Sequence, residues 1–433
     1  AAKPGELLIT IGGWDEEQFS DEKKGFSREE LDKISPNNPA FIQVNYSHAY
    51  VNSAGLTAAN IPLDRAGPDE VTGPVLSAPG AAGAGIKVER DASGKATGRI
   101  DGIAALFRVR GKIFGPIPPA RAEASTLKMA DDFVSTGLTA MFDGGGGGTT
   151  DASYVPVRKL ADEGRLPLRI RHGLWITPQK TEDVDKAIEK IKATRPFRGT
   201  TNLELISLGE LVHFRLVDNL VDAIPNNPDF LNDFRRIIEV AAEQGWPLQL
   251  HAHQASSIDL FTTEMEKVNQ VRPLKPLRWQ IVHADRITAA QIGRLQNLGV
   301  ALSVSGSMLL GGSDNRHALG VQLYDMPPLH LVRDSGLRWA LSTDATAVNV
   351  YNPFVTLGWA VTGRGFGGSF WASSGFLTSL ASASSSLASR TPLRILFKSD
   401  SEITSATMAS TGSFGSRGVV CTTENSAKPS SVA

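Results

Sequence analysis

The chain has 433 residues, a formal net charge of −1 and 21% charged residues. Its length is enough for one large barrel with additions or for two domains, and its composition is ordinary for a globular protein. The near-zero charge, with no basic stripe interleaved with aromatic residues, argues against a nucleic-acid surface. No apolar run approaches the roughly 20 residues that are needed to span a bilayer.

The cysteine content and the first residues bear on the cellular compartment. Cys421 is the single cysteine, so an internal disulfide bond is excluded. The opening residues, Ala-Ala-Lys-Pro-Gly-Glu, contain no apolar segment of the kind found in a signal peptide. Both observations fit a reducing compartment, and we expect a cytoplasmic location.

The N-terminal part of the chain predicts short strands, a capped helix and a hairpin. Leu7–Ile11 is a short apolar run, and Phe41–Tyr46 alternates as a strand does. Ser27 is followed three residues later by Glu30, which is the form of a capping box and predicts the start of a helix. Residues 86–100 have the pattern of a β-hairpin.

Strand patterns alternate with helical patterns from Thr139 to Asp344. This alternation implies a parallel sheet with right-handed crossovers. We count about six strands here and take Phe41–Tyr46 as a seventh, whereas a complete barrel of this type has eight. The remaining strand is either Leu7–Ile11 or a segment before residue 1.

Three of the strand runs end in residue types that bind metals. They are Pro247–His251, Arg278–His283 and Arg338–Asp344. In a closed parallel β/α barrel the carboxyl ends of the strands share one face, and that face carries the active site. Two imidazoles and one carboxylate converging there predict a divalent metal, with zinc as the best fit.

We therefore predict an α/β fold, a TIM barrel of the (β/α)8 type over residues 1–366. Residues 61–124, which include the hairpin, are interpreted as an insertion of loops near the barrel mouth because they are rich in Pro and Gly. Residues 367–433 are rich in Ser, Thr and Ala and show no helix or strand period. That composition predicts a poorly ordered C-terminal tail.

Five motifs resemble the amidohydrolase superfamily and, within it, the amidohydrolase-3 subgroup that includes N-substituted formamide deformylases. They lie within a similarity that runs from residue 4 to residue 366, and they are Gly12-Gly13-Trp14, Leu250-His-Ala-His-Gln, Ile281-Val-His283-Ala, Tyr324-Asp-Met-Pro-Pro328-Leu and Ser342-Thr-Asp344-Ala-Thr. The resemblance implies a metal-dependent barrel that hydrolyses amide-type C–N bonds in small molecules.

The resemblance also implies roles for individual residues. His251 takes the place of the metal-binding histidine of barrel strand five, and His283 takes that of strand six. Asp344 takes the place of the strand-eight aspartate, which binds metal and also shuttles a proton. The implied cofactor is one divalent ion or a pair of ions, with zinc preferred.

Further site residues follow from their positions beside these ligands. The family has a bridging ligand on strand four, commonly a carboxylated lysine, yet Leu203–Leu208 contains no lysine and Glu210 is the nearest acid beyond its end. His253 follows His251 by two residues, and His48 stands at a strand end. We predict Glu210, His253 and His48 as substrate contacts, with Glu210 and His253 also considered as metal ligands.

Two features depart from the family pattern. The family has a metal-binding His-x-His on barrel strand one, and none precedes Thr139 here. The family also ends in a helix and strands that return to a small β-sandwich, which residues 367–433 do not match. The chain therefore resembles a family member that is truncated at the front and altered at the back.

The predicted function is the hydrolysis of a small amide or N-substituted formamide by a metal-activated water, with Asp344 as the proton shuttle. The alternative is a catalytically impaired barrel that has lost metal ligands. A third interpretation, a sugar- or phosphate-binding barrel without metal, is disfavoured because Asp344 would repel a phosphate. We expect a small-molecule substrate, no nucleic-acid or membrane partner, and a homodimer as a possible assembly.

Overall fold

The computed structural model of the chain describes residues 3–19, 21–64, 87–114, 117–145, 151–176, 178–365, 393–399, 402–408 and 422–423. Within these ranges the strands form four sheets. One is a mixed sheet at the N-terminus, two are joined into a row of parallel strands, and the fourth is a short antiparallel sheet in the tail. None of the described helices is long and apolar enough to cross a bilayer.

The N-terminal sheet has five strands in the order β1-β2-β3-β5-β4. Its strands are β1 (Leu8–Ile11), β2 (Ala40–Val44), β3 (His48–Val51), β4 (Lys87–Arg90) and β5 (Ala96–Asp101). The accompanying helices are α1 (Arg28–Ile34), α2 (Ser53–Ala58) and α3 (Ile103–Ile113). Strands β1 and β2 run parallel, and the other pairs in this sheet are antiparallel.

Local sequence signals determine several boundaries in this sheet. The capping box is present at α1, where the Glu30 N–H donates to Ser27 Oγ at 3.2 Å and the Ser27 N–H donates to Glu30 Oε2 at 2.8 Å. The predicted hairpin is confirmed as the β4–β5 pair. The expectation of loops through 61–124 is wrong for α3, because Leu106 and Val109 pack into the same core as Phe41 of the sheet.

The row of parallel strands begins at residue 140. Its first sheet consists of β6 (Ala140–Asp143), β7 (Arg169–Leu174), the short antiparallel β8 (Arg198–Gly199) and β9 (Leu203–Leu208). Its second sheet consists of β10 (Gln249–Ala252), β11 (Gln280–His283), β12 (Ala301–Ser305) and β13 (Trp339–Ser342), all parallel. A parallel bridge between Leu208 and Leu248 joins the two sheets.

Helices alternate with the strands of the row. They are α4 (Pro119–Ser135), α5 (Val155–Asp162), α6 (Thr181–Ala193), α7 (Pro228–Glu243), α8 (Ala255–Val271), α9 (Ala289–Leu298), α10 (Met308–Leu319), α11 (Leu329–Asp334) and α12 (Pro353–Thr362). Helix α7 begins where Asn227 caps it and Pro228 occupies the first turn. Its inner side buries Phe234 and Ile237 completely, against the core that the strands and helices share. Burying each such side chain contributes about 1.5–3 kcal/mol.

Two expectations about the strand count are corrected. The described part of the row has seven parallel strands, rather than about six. Leu8–Ile11 and Ala40–Val44 do not join this row, because they pair with each other in the N-terminal sheet. An apolar alternating run specifies a strand but leaves open which sheet the strand enters.

The tail also differs from its prediction. Strands β14 (Leu393–Ser399), β15 (Glu402–Met408) and β16 (Thr422–Thr423) form an antiparallel sheet. The sequence Leu-Arg-Ile-Leu-Phe-Lys within β14 carries an apolar residue at every second position, which the Ser-rich surroundings obscure. Strand β14 lies beside both β13 and β6, which are the two end strands of the row.

Candidate metal centre

Most of the predicted site residues lie at the carboxyl ends of the parallel strands. His251 is in β10, His283 is the last residue of β11, and Asp344 follows β13 by two residues. Glu210 follows β9 by two residues, and His253 comes directly after β10. Because the strands are parallel, these ends meet at one edge, and the structure brings all five side chains into one contiguous group.

Two imidazoles and one carboxylate form the centre of this group. His283 Nε2 lies 2.9 Å from His251 Nδ1. Glu210 faces both rings, with Oε1 at 3.6 Å from His251 Nδ1 and Oε2 at 3.5 Å from His283 Nε2. The side chains are mostly buried, with exposed fractions of 14% for His251, 17% for Glu210 and 3% for His283.

The spacing of these atoms fits a metal ion. In a tetrahedral zinc site with bonds of about 2.0–2.1 Å, neighbouring ligand atoms stand about 3.3 Å apart. The three distances between the facing atoms of Glu210, His251 and His283 are 2.9, 3.5 and 3.6 Å, which bracket that value. The centre also favours positive charge. Burial disfavours a charged imidazole, but Glu210 outweighs it and raises the pKa of His251 to about 9.

The ring nitrogens that face away from the centre each have a hydrogen-bond partner. His251 Nε2–H donates to the Asp218 backbone carbonyl at 3.0 Å, and His283 Nδ1 lies 2.8 Å from Ser305 Oγ. These contacts leave His251 Nδ1 and His283 Nε2 directed at Glu210. Burial raises the pKa of the Glu210 carboxyl, but the two imidazoles outweigh that effect and hold it well below its ordinary value.

His253 lies beside the centre with a different orientation. One ring nitrogen of each of the three histidines falls within 4.8 Å of the others. The rings of His253 and His283, however, stack face to face, with centroids 4.2 Å apart and planes at 15°. Nearly parallel stacked rings cannot both point an in-plane lone pair at one ion. The geometry therefore favours His251, His283 and Glu210 over a set of three histidines.

The environment of His253 keeps its ring neutral. Its Nδ1–H donates to Asp285 Oδ2 at 2.6 Å. Burial, with the adjacent His251 acting in the same direction, lowers the pKa of His253 to about 3. Among the described residues, no hydrogen bond engages His253 Nε2. That nitrogen has a lone pair available to a ligand.

Asp344 stands at the rim of the centre. Its Oδ2 lies 3.8 Å from His283 Nδ1, and 38% of its side chain is exposed. Burial raises the pKa of Asp344 to about 6. The His283 ring opposes this shift, and the Glu210 carboxylate adds to it. A carboxylate that is both next to the imidazoles and open to solvent can be reached by a substrate.

The segment that carries Asp344 is also in contact with the N-terminal sheet. The Gly13 N–H donates to the Ala347 carbonyl at 3.1 Å. Gly12 has φ of +66°, and a Cβ built on it would lie 1.8 Å from Ala347 O. The Gly12-Gly13 motif is therefore explained by a backbone approach that only glycine permits.

His48 lies in β3 of the N-terminal sheet, not at the carboxyl ends of the row. Its Nε2 is 2.8 Å from Glu16 Oε1 and 3.1 Å from the Tyr50 hydroxyl, and its Nδ1 is 2.6 Å from Ser47 Oγ. The side chain is only 3% exposed. Both ring nitrogens are thus occupied within the protein, which argues against the predicted substrate contact.

Sequence reasoning missed the residues that orient the imidazoles. Asp218 and Asp285 lie in connecting segments that show no recognisable pattern, and each acts on a histidine more than 30 positions away. Ser305 could have been found, because it ends β12 in the same way that His283 ends β11. A strand end in a parallel α/β protein is a signal for any polar residue, not only for histidine.

A parallel α/β fold with a polar centre at the carboxyl ends of its strands is the architecture of a large class of α/β enzymes. The sequence model of the Amidohydrolase family matches residues 1–384, so the chain belongs to the amidohydrolase family. It is a hydrolase that acts on carbon–nitrogen bonds. A search of the curated proteins finds no match.

Two solved structures share the fold. An uncharacterized metal-dependent hydrolase from Pyrococcus horikoshii OT3 is 17% identical, with a TM-score of 0.53 over 85% of this chain and 67% of that one. An uncharacterized metal-dependent hydrolase from Pyrococcus furiosus is also 17% identical, with a TM-score of 0.52 over 83% of this chain and 68% of that one. At this level of identity the similarity concerns the fold.

Proposed function

We propose that the chain is a metal-dependent hydrolase that cleaves the C–N bond of a small amide or N-substituted formamide. The observation that carries the proposal is the convergence of His251 Nδ1, His283 Nε2 and the Glu210 carboxylate at separations of 2.9–3.6 Å. Membership of the amidohydrolase family supports the reaction type. The formamide preference rests on the motif resemblance alone.

Zinc is the preferred ion, as one ion or as a pair. His251, His283 and Glu210 would hold it, and Asp344 is kept as a further ligand at the rim. A bound divalent cation supplies a water of lowered pKa and polarises the scissile carbonyl. A buried set of two imidazoles and a carboxylate is the donor chemistry that zinc favours.

Asp344 and His253 are the groups that would act on the substrate. Asp344 accepts the proton of the attacking water and passes it to the departing amine. Its position fits this role, because its carboxylate lies 3.8 Å from His283 Nδ1 and is 38% exposed. His253 offers its Nε2 lone pair to a substrate N–H, because Asp285 holds its Nδ1–H. Glu210 is also kept as a substrate contact, because 17% of its side chain remains exposed.

The experiment is a zinc titration by calorimetry, followed by rate measurements on a panel of N-substituted formamides and simple amides. The wild-type chain should bind zinc and hydrolyse at least one member of the panel. Asp344→Asn should lose roughly 100-fold or more in rate, because the proton acceptor is gone, and should lose less in zinc affinity, because the amide oxygen remains as a weaker ligand. Asp325→Asn is the matched control, since Asp325 is 53% exposed and, among the described residues, its ion pair is with the half-buried His330.

A wild-type chain that binds no zinc would contradict the proposal. That result would support the alternative, a catalytically impaired barrel that has lost metal ligands. A cytoplasmic location and a homodimer stay predictions, and so does the expectation of no nucleic-acid or membrane partner.

A further inference from the structure

The segment between β9 and α7 contributes two residues to the metal centre. Glu210 stands near its start and faces His251 and His283. Asp218 lies eight positions later, and its carboxylate is completely buried, with an exposed fraction of 0%. A buried carboxylate is costly unless hydrogen bonds satisfy it, so the partners of Asp218 indicate its role.

Backbone amides just beyond His251 satisfy this carboxylate. Asp218 Oδ1 and Oδ2 accept the His253 N–H at 3.0 and 2.9 Å, and Oδ2 also accepts the Gln254 N–H at 2.8 Å. The Gln254 side chain in turn donates a hydrogen bond from Nε2 to the Asn219 carbonyl at 2.9 Å. Charge-assisted bonds of this kind fix the segment against the end of β10.

The backbone carbonyl of Asp218 then meets His251. It accepts the His251 Nε2–H at 3.0 Å, and Asp218 Oδ1 lies 3.5 Å from the same nitrogen. With the proton held on Nε2, the lone pair of neutral His251 lies on Nδ1, directed toward Glu210. The opposite tautomer would set the Nε2 lone pair against two acceptor oxygens and leave a proton where a cation would bind.

We propose that Asp218 is a positioning residue that fixes the tautomer and orientation of His251, so that Nδ1 is presented to the metal. This inference rests on the proposed function of the centre. Asp218 would thus raise the affinity for the metal without touching the substrate. Partners of this kind typically contribute 10–100-fold to metal affinity.

The test compares Asp218→Asn and Asp218→Ala with a control from the same segment. Asp222→Asn is suitable, because Asp222 is exposed and, within the described part of the chain, its hydrogen bonds are with Asn219. One readout is the 15N NMR spectrum of the histidine rings in the metal-free chain, followed with rising pH until the His251 ring is neutral. The other readout is zinc affinity from a competition titration.

The wild-type spectrum should show one His251 tautomer with the proton on Nε2. Asp218→Ala should show both tautomers and bind zinc about 10–100-fold more weakly. Asp218→Asn should lose less, because the amide oxygen still accepts one backbone N–H, and Asp222→Asn should match the wild type. If Asp218→Ala does not fold, Asp218→Asn decides the question.

A folded Asp218 variant with the wild-type tautomer and unchanged zinc affinity would overturn the inference. A wild-type chain without zinc affinity would instead contradict the proposed function. In that case the ring spectra alone decide the role of Asp218. The two failures are therefore distinguishable.

Discussion

Two buried histidine–glutamate groups in this molecule show how similar residues serve different ends. In the N-terminal sheet, His48 Nε2 lies 2.8 Å from Glu16 Oε1, and Ser47 engages the other ring nitrogen. At the ends of the parallel strands, His251 and His283 share Glu210 at 3.6 and 3.5 Å. The first group is closed on itself, whereas the second keeps two nitrogens and a carboxylate turned toward one point.

The difference lies in how the partners are supplied. The contacts of His48 come from Ser47 beside it, from Tyr50 in the same strand and from Glu16, all within the N-terminal region. The contacts at the parallel strands come from two distant elements. Asp218, between β9 and α7, holds the outer nitrogen of His251, and Ser305, at the end of β12, contacts that of His283. A buried histidine beside a glutamate therefore indicates a metal centre only when the same glutamate also faces a second imidazole, as Glu210 does.

The largest effect should come from removing one imidazole of each group. His283→Ala should lower zinc affinity by well over 100-fold, because a direct ligand contributes more than the outer partners do. His48→Ala should leave zinc affinity unchanged and destabilise the fold by about 1–3 kcal/mol, because Glu16 loses a buried partner. Calorimetric titration and urea unfolding measure the two quantities. Loss of zinc binding in His48→Ala would remove the contrast.

Zinc should stabilise the folded chain by binding at the centre at the ends of the parallel strands. At a zinc concentration 100 times the dissociation constant, the free energy of unfolding should rise by about 2.7 kcal/mol. The measurement is urea unfolding with zinc and with a chelator. The same addition should have no effect on His283→Ala, and a gain that survives in this variant would locate the ion elsewhere.

Gly12→Ala should affect both regions at once. Position 12 combines φ of +66° with a Cβ position 1.8 Å from Ala347 O, so the two segments must separate. We expect a cost of about 1–3 kcal/mol in stability together with a lower kcat, because the displaced segment carries Asp344. Gly5→Ala is the control, since φ there is +79° with no atom within 4 Å of the added Cβ. If Gly12→Ala and Gly5→Ala lowered kcat equally, backbone strain alone would be responsible for the effect.

The smallest effect should be a loss of stability at acid pH that arises in the N-terminal region. Burial opposes the charged form of Glu16, but hydrogen bonds from His48 and Tyr50 outweigh it and lower its pKa from 4.5 to about 2. The resulting stabilisation is fully present above pH 4.5 and is lost as the pH falls toward 2. After discounting for solvent screening, it amounts to about 1 kcal/mol.

Unfolding free energies of the wild type and of Glu16→Gln between pH 5 and pH 2 provide the measurement for Glu16. The difference between the two proteins should shrink as the pH falls, because protonation removes the charge that the variant already lacks. A constant difference across this range would mean that the charge of Glu16 contributes nothing.

Features set by neighbouring residues could be predicted from the sequence. The capping box of Ser27 and Glu30, the strand Leu203–Leu208 and the helix that Thr288 caps all agree with the structure. The apolar period of residues 232–244 predicts a helix that starts at Asn232, but α7 begins four residues earlier, because Asn227 and Pro228 extend it beyond the periodic part. Helix boundaries depend on caps that the apolar period does not reveal.

Features set by distant residues could not be predicted. The pattern of Leu8–Ile11 identifies a strand, but its partner Ala40–Val44 is decided by the packing of the whole sheet. His251, His283 and Asp344 were identified because strand ends in parallel folds have a known role. Asp218 was not, because its hydrogen bonds to residues 35 and 36 positions away leave no periodic trace.

The shared origin of Glu210 and Asp218 in one connecting segment has a consequence for how the centre assembles. The carboxylate that faces both imidazoles and the group that orients His251 are parts of the same stretch of backbone. Any opening of that stretch withdraws both together, so a half-formed centre has no structural support. The centre should thus appear and vanish in an all-or-none manner, with zinc release and disorder of the segment as a single event.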